Sequence, residues 1–313
     1  MRPGSHSADR NHAEVAHPRI VIVPFACVAL VISSMNPAAA TSTQVDASGS
    51  ATSEAAGSED EAAELAKKLQ NPVANLISVP FQSNFDFNIG PNDNGFRYTM
   101  NLQPVIPFSI SKEWNVIVRT IIPFIYQDDV FAGTSQTGLG DTVQSFFFSP
   151  KKPVGGWVLA LGPVFLWPTG TNDLLGSEKW GAGPTGLVLR QDGGWTYGVL
   201  FNHIWDYAGD EHRNYVSSTF IQPFITYTTK KHTTFGINTE STYDWHADQW
   251  TVPINVFVSQ LVKIGKLPVS FSFGGRVYAE GPSGNADWGL RFVVTPLFPT
   301  GHKPAVEPTS SAK

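Results

Sequence analysis

Apolar and polar residues alternate with a period of two along most of the chain between Val73 and Phe298. The first stretch is the clearest. Ile77, Val79, Phe81, Phe85, Phe87 and Ile89 are apolar, and the interleaved Ser78, Gln82, Asn84, Asp86 and Asn88 are polar. Successive side chains of a strand point to opposite faces, so this stretch predicts a strand with one greasy face and one wet face. The pattern returns where Phe96, Tyr98, Met100 and Leu102 alternate with Arg97, Thr99, Asn101 and Gln103. It returns again where Phe235, Ile237, Tyr243 and Trp245 alternate with Thr234, Asn238, Glu240, Thr242 and Asp244. Near the end Val269, Phe271, Phe273 and Val277 alternate with Ser270, Ser272, Arg276 and Glu280. Strands are predicted to begin near Leu76, Phe96, Trp114, Asp141, Trp157, Trp180, Trp195, Tyr215, Thr233, Trp250, Leu267 and Trp288. An even count of about twelve, with segments of about ten residues, predicts an all-β fold: a transmembrane antiparallel up-and-down β-barrel of the bacterial outer membrane.

A soluble sandwich would show the same alternation, and three further features favour the membrane barrel. Trp114, Trp157 and Trp195 begin strands running one way, while Tyr126, Trp167, Tyr207, Trp245, Trp250 and Trp288 gather at the opposite ends. Amphipathic rings in two belts match the headgroup levels of a bilayer. Charged residues alternate with Phe and Val, which suits a wet lumen better than a dry core. Every second connection is compact and often basic or Gly-rich, as at Ser111-Lys112, Lys151-Lys152, Gln191 to Gly194, Lys230-Lys231 and Lys263 to Lys266. The intervening connections, such as 127–138, 170–179 and 208–213, are often longer and acidic. Short periplasmic turns and longer outer loops give this asymmetry, and an even strand number puts both termini on the periplasmic side.

Six prolines (Pro104, Pro123, Pro163, Pro223, Pro253 and Pro296) fall inside predicted strands, where each lacks a ladder N–H; bulges or bends are expected there. The stretches around Phe146-Phe147-Phe148 and Gly181 to Gly186 show no clean face assignment.

The amino-terminal region reads differently. After Arg19 comes the apolar run Ile20 to Ile32, then small residues ending at Ala38-Ala39-Ala40. A basic flank, a short apolar segment and an A-x-A-like site predict a secretory signal peptide, residues 1–40. Residues 41–72 are expected to form a Ser/Ala/Thr/Gly-rich linker followed by a short amphipathic helix. Ser58 to Glu61 fits a capping box, and Ala62, Leu65, Ala66 and Leu69 share one face. Two leucines bury little area, so loose docking near the barrel mouth is expected rather than entry into the lumen. The barrel is assigned to 73–298, and 299–313 to a disordered periplasmic tail.

Of the 313 residues 42% are hydrophobic and 15% charged, with a formal net charge of −5. That balance excludes a disordered chain, and nothing in it suggests the basic face of a nucleic-acid binder. The single cysteine, Cys27, lies in the signal region, which excludes a disulfide framework.

The chemistry the pattern suggests lies on the wet face. Arg97, Arg119, Arg276 and Arg291 form a candidate cationic set, partly facing Asp86, Asp141, Glu240 and Asp244. Such a wall would select and orient small polar solutes. A channel or transporter is therefore the leading reading. A sealed structural or receptor barrel, its charges paired into a core, is the first alternative. A lipase-type hydrolase, with His203 facing Ser217 and Ser218 across a hairpin, is a weaker one, because no nucleophile motif accompanies them. Asp210-Glu211-His212 reads as a loop rather than a metal site. No cofactor and no catalytic residue is expected. The expected partners are outer-membrane lipid, a small-molecule solute, and the barrel-assembly machinery acting on the C-terminal strand; no nucleic acid is expected.

The run Leu65 to Gln127 resembles a bacterial outer-membrane family. So do Gly138 to Asp141, Gln144 to Lys151, Leu175 to Pro184 and Asn238 to Trp245. It is the family named for the meta-pathway of phenol degradation, whose members are commonly described as transporters and some of which carry a misleading neuropeptide label. The resemblance spans nearly the whole mature chain. It implies an outer-membrane β-barrel that passes small compounds, aromatic ones included, and it supplies no catalytic or ligand residues.

Overall fold

The structure, a computed structural model, describes residues 62–298. The expected signal peptide, the linker up to residue 61 with its capping box, and the tail 299–313 lie outside the described residues. Sixteen strand segments join in one antiparallel sheet. Four strands are interrupted, so the segments make twelve strands, closed into a barrel. These are β1 (Ile77–Ser78 and Phe81–Ile89), β2 (Gly95–Leu102 and Val105–Ser109), β3 (Trp114–Asp128), β4 (Ser135–Leu139 and Thr142–Pro150), β5 (Trp157–Trp167) and β6 (Lys179–Asp192). They continue as β7 (Trp195–Gly209), β8 (Ser217–Thr228), β9 (Thr233–Thr239 and Ser241–Asp244), β10 (Gln249–Ile264), β11 (Leu267–Glu280) and β12 (Trp288–Phe298).

Each strand pairs with its sequence neighbours, and β12 returns to β1 with Trp288 opposite Phe87, Val294 opposite Phe81 and Phe298 opposite Ile77. Closure leaves no free edge. Phe235, Ile237, Phe273, Val256 and Phe292 stand on the outer face and are exposed, as are Trp114, Trp157, Trp195, Tyr207, Trp245 and Trp288 near the strand ends. The expected strand starts match within about two residues except at β4, which begins at Ser135 and not near Asp141.

The prolines behave in two ways. Pro104 lies in the break of β2, and Pro253 sits at a register shift between β10 and β11. Pro223 lies between the two stretches over which β8 pairs with β9. Pro123, Pro163 and Pro296 keep register with one neighbour, opposite Asn101, Pro184 and Val269, and meet an interruption on the other side: β4 breaks opposite Pro123, its pairing with β5 lapses at Pro163, and β1 breaks opposite Pro296. A strand residue gives its N–H to one neighbour only, so a missing donor leaves the pairing on the other side intact.

Part of the inner face is apolar. Ile117, Phe147, Ala160, Leu187, Leu189 and Leu200 are buried in one cluster with Val73, from the segment that precedes β1. Phe147 points inward while the flanking Phe148 is exposed outside. Both faces are greasy here, which is why the alternation is lost around Phe146 to Phe148. Near Gly183 the constraint is steric: a Cβ there would meet the His203 carbonyl oxygen at 1.8 Å.

The helix differs most from expectation. It spans 62–69 and does not dock loosely. Ala66 is only 2% exposed, and Ala62 and Ala66 cluster with Leu76, Leu261 on β10 and Leu297 on β12. On the far wall Gln191 of β6 donates to the Lys67 carbonyl at 2.9 Å. In a sequentially ordered barrel of twelve, β6 and β12 are half a turn apart, so a helix touching both lies across the lumen. Small alanines allow this close approach, and Leu65 and Leu69 of the same face pack against the cluster. The compact turns close this end of the barrel, and the helix obstructs it.

Truncating the inner cluster should cost what a well-packed core costs. Phe147→Ala is expected to lower folding stability by about 3–5 kcal/mol, read from the urea midpoint of folding into lipid vesicles.

Candidate functional site

The wet face of the strands converges on a belt in the loop half of the lumen. Arg291 makes a two-pronged contact with Glu240, Nη1 to Oε1 at 2.8 Å and Nη2 to Oε2 at 2.7 Å. Its Nε donates to Asn84 Oδ1 at 2.7 Å. Asn84 stands opposite Arg291 across the closing seam, so one cross-strand pair orients the guanidinium. Arg276 lies 3.3 Å from Asp86 and 3.6 Å from Glu240, and the Tyr278 hydroxyl donates to Asp86 at 3.1 Å. The fork geometry and side-chain exposures of 8% for Arg291 and 21% for Glu240 make this a shielded ion-pair network rather than a surface one.

Glu240 reaches the network from a gap in β9 that leaves the register of the strand intact. Thr239 ends one segment, Ser241 starts the next, and Glu240 between them belongs to neither. With no extra residue inserted, Glu240 keeps the inward parity of Asn238 and Thr242.

The other two arginines are held differently. Arg97 Nε donates to Gln127 Oε1 at 2.9 Å, and Gln127 in turn donates to Gln136 at 2.7 Å. Arg119 Nη2 donates to Gln103 Oε1 at 2.9 Å. Among the described residues neither forms a carboxylate ion pair within 4.0 Å. Four guanidiniums thus face the two carboxylates of the belt, Asp86 and Glu240. The lumen carries a cationic excess although the chain as a whole is acidic.

Two of the expected wall residues lie elsewhere. Asp141 receives the Gly170 N–H at 3.0 Å and the Ser177 N–H and hydroxyl, each at 2.6 Å, so it braces the 168–178 connection. Asp244 accepts the His246 and Ala247 N–H groups at 2.8 and 3.0 Å and caps the turn after β9. Both sit where a strand breaks or ends, and backbone donors there capture a carboxylate before it can face the lumen. Conversely, Asn84, Gln103, Gln127, Gln136 and Tyr278 belong to the belt although no charge marks them. The first three share the alternation parity of the arginines, and that parity is the signal that could have found them.

His203 faces outward. Its Nδ1 is 2.7 Å from Thr219 Oγ1, Trp245 Nε1 donates to the same oxygen at 2.8 Å, and Trp205 packs 3.9 Å from the ring. Ser217 and Ser218 stand opposite Trp205 and Ile204 instead. The histidine therefore sits in an aromatic cluster and contacts neither serine hydroxyl. On the 210–216 connection, Asp210 accepts the His212 backbone N–H at 2.7 Å and lies 3.1 Å from its ring. These hydrogen bonds hold the Asp210 carboxyl below the ordinary carboxylate range. Among the described residues no group of three or more His, Cys, Asp or Glu side chains could hold a metal ion.

No family model and no curated protein matches the chain. Solved structures do. An outer membrane channel from Pseudomonas putida F1 superposes with a TM-score of 0.58 at 13% identity, covering 72% of this chain and 96% of that one. The NanC porin gives 0.44 at 9% identity, covering 71% and 98%. Outer membrane phospholipase A from Escherichia coli gives 0.40 at 10%, covering 74% and 97%. The first likeness establishes the fold, an antiparallel barrel of the outer-membrane type, and the other two are loose.

Removing one member of the shielded network should leave its partners exposed to the full cost of an unpaired buried charge. Glu240→Gln is expected to destabilise the barrel by about 3–5 kcal/mol, and Asp244→Asn on the exposed turn by about 0.5 kcal/mol or less. Urea unfolding of the two variants in one lipid composition tests the difference.

Proposed function

We propose that this protein is an outer-membrane channel that passes small solutes through a narrow charged lumen, with both termini on the periplasmic side. The observation that carries the reading is the segregation of the two faces. A closed wall is apolar outside between aromatic ends, while its inside holds arginines, carboxylates and amides with donors to spare. Hydrocarbon accepts the outer face only because every strand edge is paired, and a polar interior in such a wall suits water and solutes. Twelve strands leave a bore between side-chain-filled eight-stranded barrels and open porins, so permeants must be small. The fold shared with an outer membrane channel agrees with this. The resemblance to the meta-pathway family extends the proposal to aromatic compounds as permeants. The cationic excess of the belt favours anions.

The alternative is a sealed barrel. It draws on the helix across the turn end and on the pairing of Asp86 and Glu240, which together narrow the lumen.

Planar-bilayer recordings of refolded protein, with and without aromatic solutes, decide between the two. Expected are discrete conductance steps and a reversal potential on the anion side in a salt gradient. Deletion of 62–70 should raise the unitary conductance severalfold. Absence of both conductance and uptake would favour the sealed scaffold.

A further inference from the structure

A cavity of about 180 Å³ separates the amino-terminal segment from the barrel wall. On one side it is bounded by Lys68, Leu69, Asn71, Pro72, Ala74 and Leu76, and on the other by Gln103, Val105, Arg119 and Gln222. Two cations line it and no carboxylate does. Arg119 spends one of its five N–H donors on Gln103. Glu240 acts on Arg119 through space, but its own oxygens are taken up by Arg291 and Arg276. Lys68 is exposed and forms no ion pair among the described residues. The rest of the lining offers the amides of Gln103, Gln222 and Asn71, the Ser78 hydroxyl, and apolar surface that includes Leu69, Pro72 and Val105. The volume is well below the roughly 300 Å³ at which sites for drug-sized ligands begin.

We propose that this cavity is a binding subsite for a small organic anion, a carboxylate on a compact apolar body, held between Arg119 of the wall and Lys68 of the helix. Two cations that lack carboxylate partners favour a negative group. The guanidinium can offer an anion donors that its amide partner leaves unused. The leucine, proline and valine surface rewards an apolar body and excludes a fully hydrated inorganic ion. Because Lys68 rides on the helix and Arg119 on β3, an occupant would also tie the helix to the wall. The inference deepens the channel reading by naming the permeant class, and it rests on that reading for its physiological meaning only.

Benzoate is a suitable probe, with benzamide as its uncharged counterpart and acetate as the charge without the body. Calorimetric titration of the full chain, refolded in detergent, should show saturable benzoate binding, with benzamide and acetate each about tenfold weaker or worse. Lys68→Gln and Arg119→Gln should each weaken benzoate about tenfold, and Arg119→Lys should recover part of the loss. Lys68 lies on an exposed helix position, so its variant tests the site even if an Arg119 variant fails to fold. Equal affinity for benzamide, equal affinity for acetate, or benzoate binding unchanged in Lys68→Gln overturns the assignment. Titration in detergent requires no conduction. A conducting protein that ignores benzoate overturns the subsite alone, whereas benzoate binding by a non-conducting protein supports the subsite and removes the channel reading.

Discussion

A sheet that meets hydrocarbon cannot keep an edge, because each unpaired N–H or C=O costs several kcal/mol there. In this chain that requirement falls on one seam, where β12 returns to β1 over Trp288 to Phe298. The seam also fixes which residues meet water. Leu290 stands opposite Phe85 and Arg291 opposite Asn84, so a slip of one residue would send the arginine toward lipid and the leucine into the lumen. Arg291 resists that slip more than any other side chain on the strand, since its guanidinium is clamped by Asn84 on β1 and by Glu240 on β9. Closure and the charged belt are thus one arrangement: the ladder sets the parity, and the ion pairs penalise every other parity.

The interruptions in the strands follow the same logic. β1 breaks at Val79-Pro80, β2 at Gln103-Pro104, β4 at Gly140-Asp141 and β9 at Glu240. Two of these breaks hold a proline, which brings no N–H to the ladder. The other two hold a carboxylate: Asp141 braces a connection, and Glu240, on the inward parity of its strand, reaches across three strands to Arg291. Gln103, in the break of β2, is the amide that holds Arg119. Gln103 is thus a lumen contact supplied from a break, while the arginines of the belt stand in regularly paired strand.

The outer face was legible in the sequence because hydrocarbon admits only one kind of residue, and the alternation around Phe85, Phe235 and Phe273 states it without ambiguity. The arginines of the belt were legible for the same reason, as polar residues of the opposite parity. Their partners were not, because pairing depends on how strands lie beside one another. Nothing local to Glu240 announces Arg291, fifty-one positions away. The apolar inner cluster was hidden for a different reason. Around Phe147 and Leu187 to Leu189 both faces are greasy, and a period of two cannot appear when both phases carry the same signal. The packed face of the helix, Ala62, Leu65, Ala66 and Leu69, was legible from its spacing, but its depth was not, because Leu261 and Leu297 lie far off in the sequence.

Two chemistries therefore divide the interior along its length. The loop half is a polar belt in which Asp86 and Glu240 hold Arg276 and Arg291 in ion pairs. The turn half is filled by Val73 against one wall and by the helix between the others, and its wall mixes the apolar cluster with buried hydroxyls and amides such as Thr196, Thr228, Thr234 and Asn115. The two halves are held with unequal strength. The belt is cross-linked through forked ion pairs among β1, β9, β11 and β12. The helix rests on small apolar contacts and one amide-to-carbonyl hydrogen bond, and detaching it breaks no ion pair among the described residues. If one of them yields to a solute, the weaker contacts yield first. The wall with its belt can then stay fixed while the obstruction at the turn end gives way, and Arg119 stands at the boundary between them.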